Sequence, residues 1–126
     1  MKRDMDLIRL ILLDIEEKDK GSGQTVTIGD LGHTSEVVIE HLFLLKNAGF
    51  IEGIDASHMQ GRDLLVQRLT WNGHEFLNTV RDPDVWAKTK KGADKVGAFS
   101  IEILSEIAKG IIRKKVADLS GVEIDL

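Results

Sequence analysis

Four histidines and several paired carboxylates are the residues with which this chain could do chemistry. The most suggestive stretch is RLTWNGHEFL, Arg68 to Leu77, which contains the adjacent pair His74–Glu75. Neighbouring helical residues project about 100° apart, so on a helix these two do not face each other as an acid–base dyad. His33, His41, His58 and His74 are each more than seven residues from the next. A helical zinc site uses a much closer pair, such as H-x-x-x-H on one face. Asp4/Asp6 and Asp82/Asp84 read first as helix caps. GSG at 21–23 lacks the following helix and lysine of a phosphate loop, and no serine sits in a nucleophile elbow. The absence of cysteine excludes thiol catalysis, thiolate zinc sites and disulfides. These residues predict no catalytic centre, no metal and no cofactor, and the chain is expected not to be an enzyme.

The elements that would carry these residues are legible from periodicity. Asp4 is placed to cap a first helix to about Lys18, with Leu7, Ile8, Ile11, Leu12 and Ile15 on one face. TVTI at 25–28 alternates and is β-branched, which predicts a short strand. Thr34 or Ser35 begins a helix to Ala48, stopped by Gly49. Its apolar face is expected to hold Val37, Val38, His41, Leu42, Leu44, Leu45 and Ala48, which makes His41 a core histidine. Ile39 and Phe43 fall on the opposite, polar face. FIEGID and LLVQRLT, at 50–55 and 64–70, predict a hairpin around an exposed loop at 56–63. Thr70 caps a helix that buries Gly73, Phe76, Leu77 and Val80. Asp82–Pro83 restarts the chain as a short helix ending at Gly92, followed by a loop. Ser100 begins a last helix to about Asp118, with Leu104, Ile107, Ala108 and Ile111 as its stripe. The tail SGVEIDL is acidic and reads as frayed or as a short edge segment.

This order predicts an α+β fold of winged-helix type: helix, short strand, recognition-type helix and β-hairpin wing, with a C-terminal helical extension. Residues 1–80 form the winged-helix core and 81–126 the extension, packed on the same domain. At 126 residues one domain is expected. No apolar run approaches the ~20 residues of a membrane span, so the expected compartment is the cytoplasm.

The blocks MKRDMDLIRLILLDIEE and HLFLLKNAGFIEG…RLTWNGHEFLNTVRDPDVWAKTK resemble a family of small bacterial and prophage proteins. That family is known as a domain of unknown function and is regarded as winged-helix-like. The resemblance spans roughly residues 1–118, implies the fold and a phage-linked context, and brings no catalytic residues. More loosely, HLFLLKNAGFIEG followed by LTWNGHEFL is similar to the recognition helix, wing and L-T-x-x-G pattern of winged-helix transcription regulators. Only GDLGH, at 29–33, stands where those regulators place a full helix, so the helix-turn-helix is abbreviated.

Two binding functions compete. The net charge of −4 divides unevenly: residues 1–80 carry 8 Lys/Arg against 13 Asp/Glu, whereas 81–117 carry 9 against 5. Phosphate neutralisation dominates DNA affinity, so the expected contacts are Arg62 in the wing and Lys88, Lys90, Lys91, Arg113, Lys114 and Lys115 beyond it. The fold makes DNA-binding regulation the leading expectation, an inference by analogy. The rival is a protein-interaction module on the same scaffold. Glu36 and Glu40 oppose a phosphate field, and Ile39 and Phe43 put an apolar spot on the outward face, with Trp71 and Trp86 as further protein-interface anchors. The last helix, with Gly110 inside it, is expected to pair with its mate in a homodimer.

Overall fold

The computed structural model describes residues 1–121. It is a mixed α+β protein with five helices and a two-stranded antiparallel hairpin among those residues. The chain divides into two compact units, Met1–Leu77 and a second beginning at Asn78.

The first unit opens with α1, Met5–Lys18. Asp4 caps it as expected, its side chain accepting from Leu7 N. Leu7, Ile8, Ile11, Leu12 and Ile15 are buried. Burial of each such aliphatic stabilises by about 1.5–3 kcal/mol relative to exposure, so this stripe is the anchor of the unit. α2, Ser35–Ala48, begins at the Thr34 cap and ends at Gly49, whose φ of 83° is the left-handed conformation that glycine adopts without strain. The stretch between the two helices differs from expectation. TVTI forms no strand; it contributes a single bridge, Val26 to Val66. GDLGH forms no helical turn.

β1, Ile51–Asp55, pairs with β2, Leu64–Leu69, with an irregularity between Glu52 and Gly53. Ile51, Leu64, Val66 and Leu69 face the core, while Glu52, Ile54, Leu65 and Arg68 face out. The chain then turns sharply into α3, Trp71–Val80. Thr70 Oγ1 accepts from Gly73 N and donates to Gly49 O. A Cβ on Gly73 would lie 2.1 Å from Phe50 O, so the close passage requires glycine. Gly73, Phe76, Leu77 and Val80 are all buried, as the spacing predicts.

In the second unit Asp82 caps α4, Pro83–Val96. The expected stop at Gly92 is overturned: the helix continues another turn to Val96 and ends at Gly97, φ 69°. Gly92 is instead a contact point, since a Cβ there would lie 3.1 Å from Ile107 Cγ2. Ser100 caps α5, Ile101–Ser120, which packs along α4 and buries Leu104 and Ala108. The acidic tail beyond Gly121 lies outside the described residues.

Candidate functional site

The histidines do not converge on one another. His41 is fully buried. Its Nδ1 lies 2.8 Å from Val37 O and its Nε2 accepts from Asp4 N at 2.9 Å, which requires the neutral ring with its proton on Nδ1. It is a satisfied core residue, as its position on the apolar face implied. His33 Nε2 stands 3.7 Å from Asp4 Oδ2. His58 lies in the hairpin loop, where its Nδ1 accepts from Gln60 N. His74 is exposed on α3. The carboxylates behave as caps and latches. Asp82 is held below the usual carboxylate range by the backbone N–H groups of Asp84 and Val85 at the start of α4. Asp55 is lowered by the hydrogen bonds of Ser57.

The candidate phosphate contacts fare unevenly. Arg62 Nη1 donates to both carboxylate oxygens of Glu40, at 2.7 and 2.8 Å, and its guanidinium carbon stands 3.9 Å from the Phe43 ring centroid. This cation of the hairpin loop is therefore tied across to α2. Lys115 Nζ bridges Asp84 at 3.3 Å and Asp82 at 3.6 Å, and Lys88 pairs with Asp84 at 3.3 Å. Asp84 is held low by Lys88 first and then by Lys115, and Lys115 is raised chiefly by Asp84. Lys90 lies 5.8 Å from the Trp86 ring. Lys91 and Lys114 are exposed and, among the described residues, have no carboxylate partner. Arg113 is half-buried, and its Nε lacks a hydrogen-bond partner.

The apolar interface candidates are rearranged. Phe43 is buried, only 7% exposed, with Arg62 across its ring, and Ile39 is half-buried. Leu44 and Ala48, expected in the core, are exposed. The buried stripe of α2 is thus Val38, His41, Leu42 and Leu45, widened on the Phe43 side. Trp86 is buried at 4%, so it is core and not an anchor. Trp71 is 77% exposed. Nothing lies within 4 Å of a Cβ built on Gly110, and the Leu104/Ala108 stripe of α5 is already packed in its own unit. Within the chain the close approach of α4 and α5 falls at Gly92.

Two surfaces went unread in the sequence. Ile54 and Leu65 are cross-strand partners and both exposed, an apolar pair on the outer face of the hairpin. The signal was there: Leu64 and Leu65 are adjacent in a strand, so one must point outward. The second is a groove of about 630 Å³ between segment 25–30, the start of α2 and residues 63–66. It could not be read because it depends on where the 25–30 segment fails to pair.

The described residues define a small mixed α+β protein with no helix long and apolar enough to cross a membrane. The family described as hypothetical protein DUF2513 matches residues 2–100, and the chain belongs to it. A relative from Haemophilus influenzae, described as an uncharacterized protein, is 38% identical over 118 residues, which cover 93% of this chain and all of that one. No solved structure matches the chain.

Proposed function

We propose that this protein is a non-enzymatic protein-interaction module built on a winged-helix scaffold, with α2 in the recognition-helix position and the β1–β2 hairpin as the wing. The Arg62–Glu40 pair carries the reading. It takes the hairpin-loop arginine into a salt bridge over Phe43, while the exposed residues of α2 and of the hairpin include Glu36, Leu44, Ile54 and Leu65. Carboxylates and exposed aliphatics are unfavourable against a phosphate backbone but suit a protein interface, where an apolar centre is ringed by polar groups. Trp71, exposed at the start of α3, adds a residue type enriched among binding hot spots.

DNA-binding regulation is the second reading, favoured by Lys91, Arg113 and Lys114, which have no carboxylate partner among the described residues. Titration of labelled random duplex DNA with the full chain, at about 50 and 200 mM salt, separates the two, because phosphate contacts impose a steep salt dependence. The interaction reading expects no salt-dependent binding. Binding that weakens steeply with salt and is lost in a Lys91→Glu/Lys114→Glu variant would establish the DNA reading in its place.

A further inference from the structure

The groove beside β2 exists because a strand pairing stops one rung early. Asp63 O accepts from Ala56 N at 2.9 Å, on the β1 side of the hairpin. Peptide groups alternate along a strand, so the N–H and C=O of Leu64 turn to the opposite edge. On that edge Val26 N donates to Val66 O at 2.8 Å, in the antiparallel sense. The next rung in that register would set Ile28 opposite Leu64, yet the bridge is confined to Val26 and Val66.

Two bonds to α1 account for the stop. Gly29 N donates to Asp14 Oδ2 and Lys18 Nζ donates to Thr27 O, both at 2.9 Å, with Lys18 also paired to Asp14. They hold residues 27–29 against α1 and away from β2. The Leu64 N–H is satisfied by Asp63 Oδ1 at 2.8 Å, while its carbonyl faces the gap with no strand partner among the described residues. Ile28, Val38, Ile39 and Leu42 supply apolar lining, and Asp30 and Asp63 stand at the rim. Each of these carboxylates accepts one backbone N–H, from Gly32 and Leu64 respectively. Neither has a cationic partner among the described residues.

We propose that this gap is a docking groove for an extended segment of a partner protein, in which an apolar side chain is flanked by lysine or arginine. The apolar lining takes the side chain, the Leu64 carbonyl accepts a backbone N–H from the added strand, and the two aspartates select the basic flanks. This deepens the protein-interaction reading and rests on it; it specifies the site and the chemistry of the partner segment.

The test is a ¹H–¹⁵N chemical-shift titration of the full chain with two blocked pentapeptides, Lys-Val-Leu-Val-Lys and Glu-Val-Leu-Val-Glu. The proposal expects shifts from the basic peptide at Ile28, Asp30, Ile39 and residues 63–66, and none from the acidic one. An Asp30→Asn/Asp63→Asn variant keeps both acceptor oxygens, so these hydrogen bonds survive while the charge is lost. Exposed charge pairs are individually weak, so the variant should bind the basic peptide roughly fivefold less tightly. An Ile39→Asn variant, checked for an intact fold by its spectrum, should bind neither peptide. The groove proposal is overturned if neither peptide shifts these residues at millimolar concentration, or if the Asn variant binds unchanged. Shifts confined to Ile54, Leu65 and Trp71 would also overturn it while leaving the broader interaction reading standing; that reading falls on the DNA titration instead.

Discussion

The backbone N–H of Asp4 donates to Nε2 of His41 at 2.9 Å, joining the first residue of one helix cap to the middle of the next helix. Asp4 thereby serves α1 twice. Its side chain accepts from Leu7 N, and its own N–H is satisfied by a ring with no solvent exposure. His41→Leu keeps the apolar volume but leaves the Asp4 N–H without its acceptor. The expected loss is about 1–3 kcal/mol of unfolding free energy, read from urea denaturation. A change below about 0.5 kcal/mol would mean that water replaces the ring at no cost.

Gly73→Ala should be far more damaging than its size suggests. The added carbon would meet the carbonyl oxygen of Phe50 at 2.1 Å, and a backbone atom at the strand–helix joint has little room to yield. Overpacking typically costs 1–3 kcal/mol, and this contact lies at or beyond the upper end, at about 3 kcal/mol or more. Gly110→Ala is the control: it has open space, and replacing a helical glycine should stabilise by up to about 1 kcal/mol. Thermal melts of the two variants should move in opposite directions.

Much of the frame could be read from residue types because it rests on local rules. The caps at Asp4, Thr34, Thr70, Asp82 and Ser100, the left-handed Gly49 and the α1 stripe all follow from one or two neighbouring residues. Where distant contacts decide, the local reading fails. Gly92 resembles a helix stop, yet it lies inside α4 because α5 needs a small residue opposite Ile107. TVTI has strand composition, yet Asp14 and Lys18 draw its end toward α1. Phe43 resembles an exposed misfit on a polar face, yet Arg62, nineteen residues later, lies across it. The candidate surface was legible as a choice between charge and apolar contact; the pairing of each cation was not.

Phe43→Asp is accordingly expected to weaken folding itself, since the ring is buried and the new carboxylate would stand beside Glu40. The milder Arg62→Met isolates the ion pair. An exposed pair contributes about 0.2–1 kcal/mol, and the cation–aromatic contact about 0.5–1 kcal/mol. Denaturation of Arg62→Met should therefore show a loss of roughly 1 kcal/mol. A loss near zero would mean that the arginine is free to leave Glu40 for an anionic partner, which would strengthen the DNA reading.

Acid should weaken the α4 terminus. Asp82 and Asp84 have folded-state pKa values below the reference 3.8, the first through backbone N–H groups of α4 and the second through Lys88 and Lys115. A depressed carboxylate pKa contributes stability that is present above the unfolded value and is lost as pH falls through the folded one. The melting temperature should therefore drop as pH falls below about 4, and Asp84→Asn should show a shallower drop. Lys115 works in the opposite direction: its value is raised above 10.5, chiefly by Asp84, so its contribution is lost only as pH rises through that higher value. An acid limb as steep in Asp84→Asn as in the parent would assign the effect to other carboxylates.

Trp71 gives the sharpest separation of binding from folding. Its side chain is 77% exposed at the start of α3, so Trp71→Ser removes little packing and should change stability by no more than about 0.5 kcal/mol. The same substitution should cost a protein-interaction surface one of its strongest contact types, on the order of 2 kcal/mol of binding where the indole is an anchor. The indole is also its own reporter. Trp86 is buried, so a change in fluorescence on partner binding that is absent in Trp71→Ser assigns the contact to the exposed tryptophan. If emission changes equally in both proteins, binding acts through Trp86 and its surroundings, and the anchor role for Trp71 is wrong.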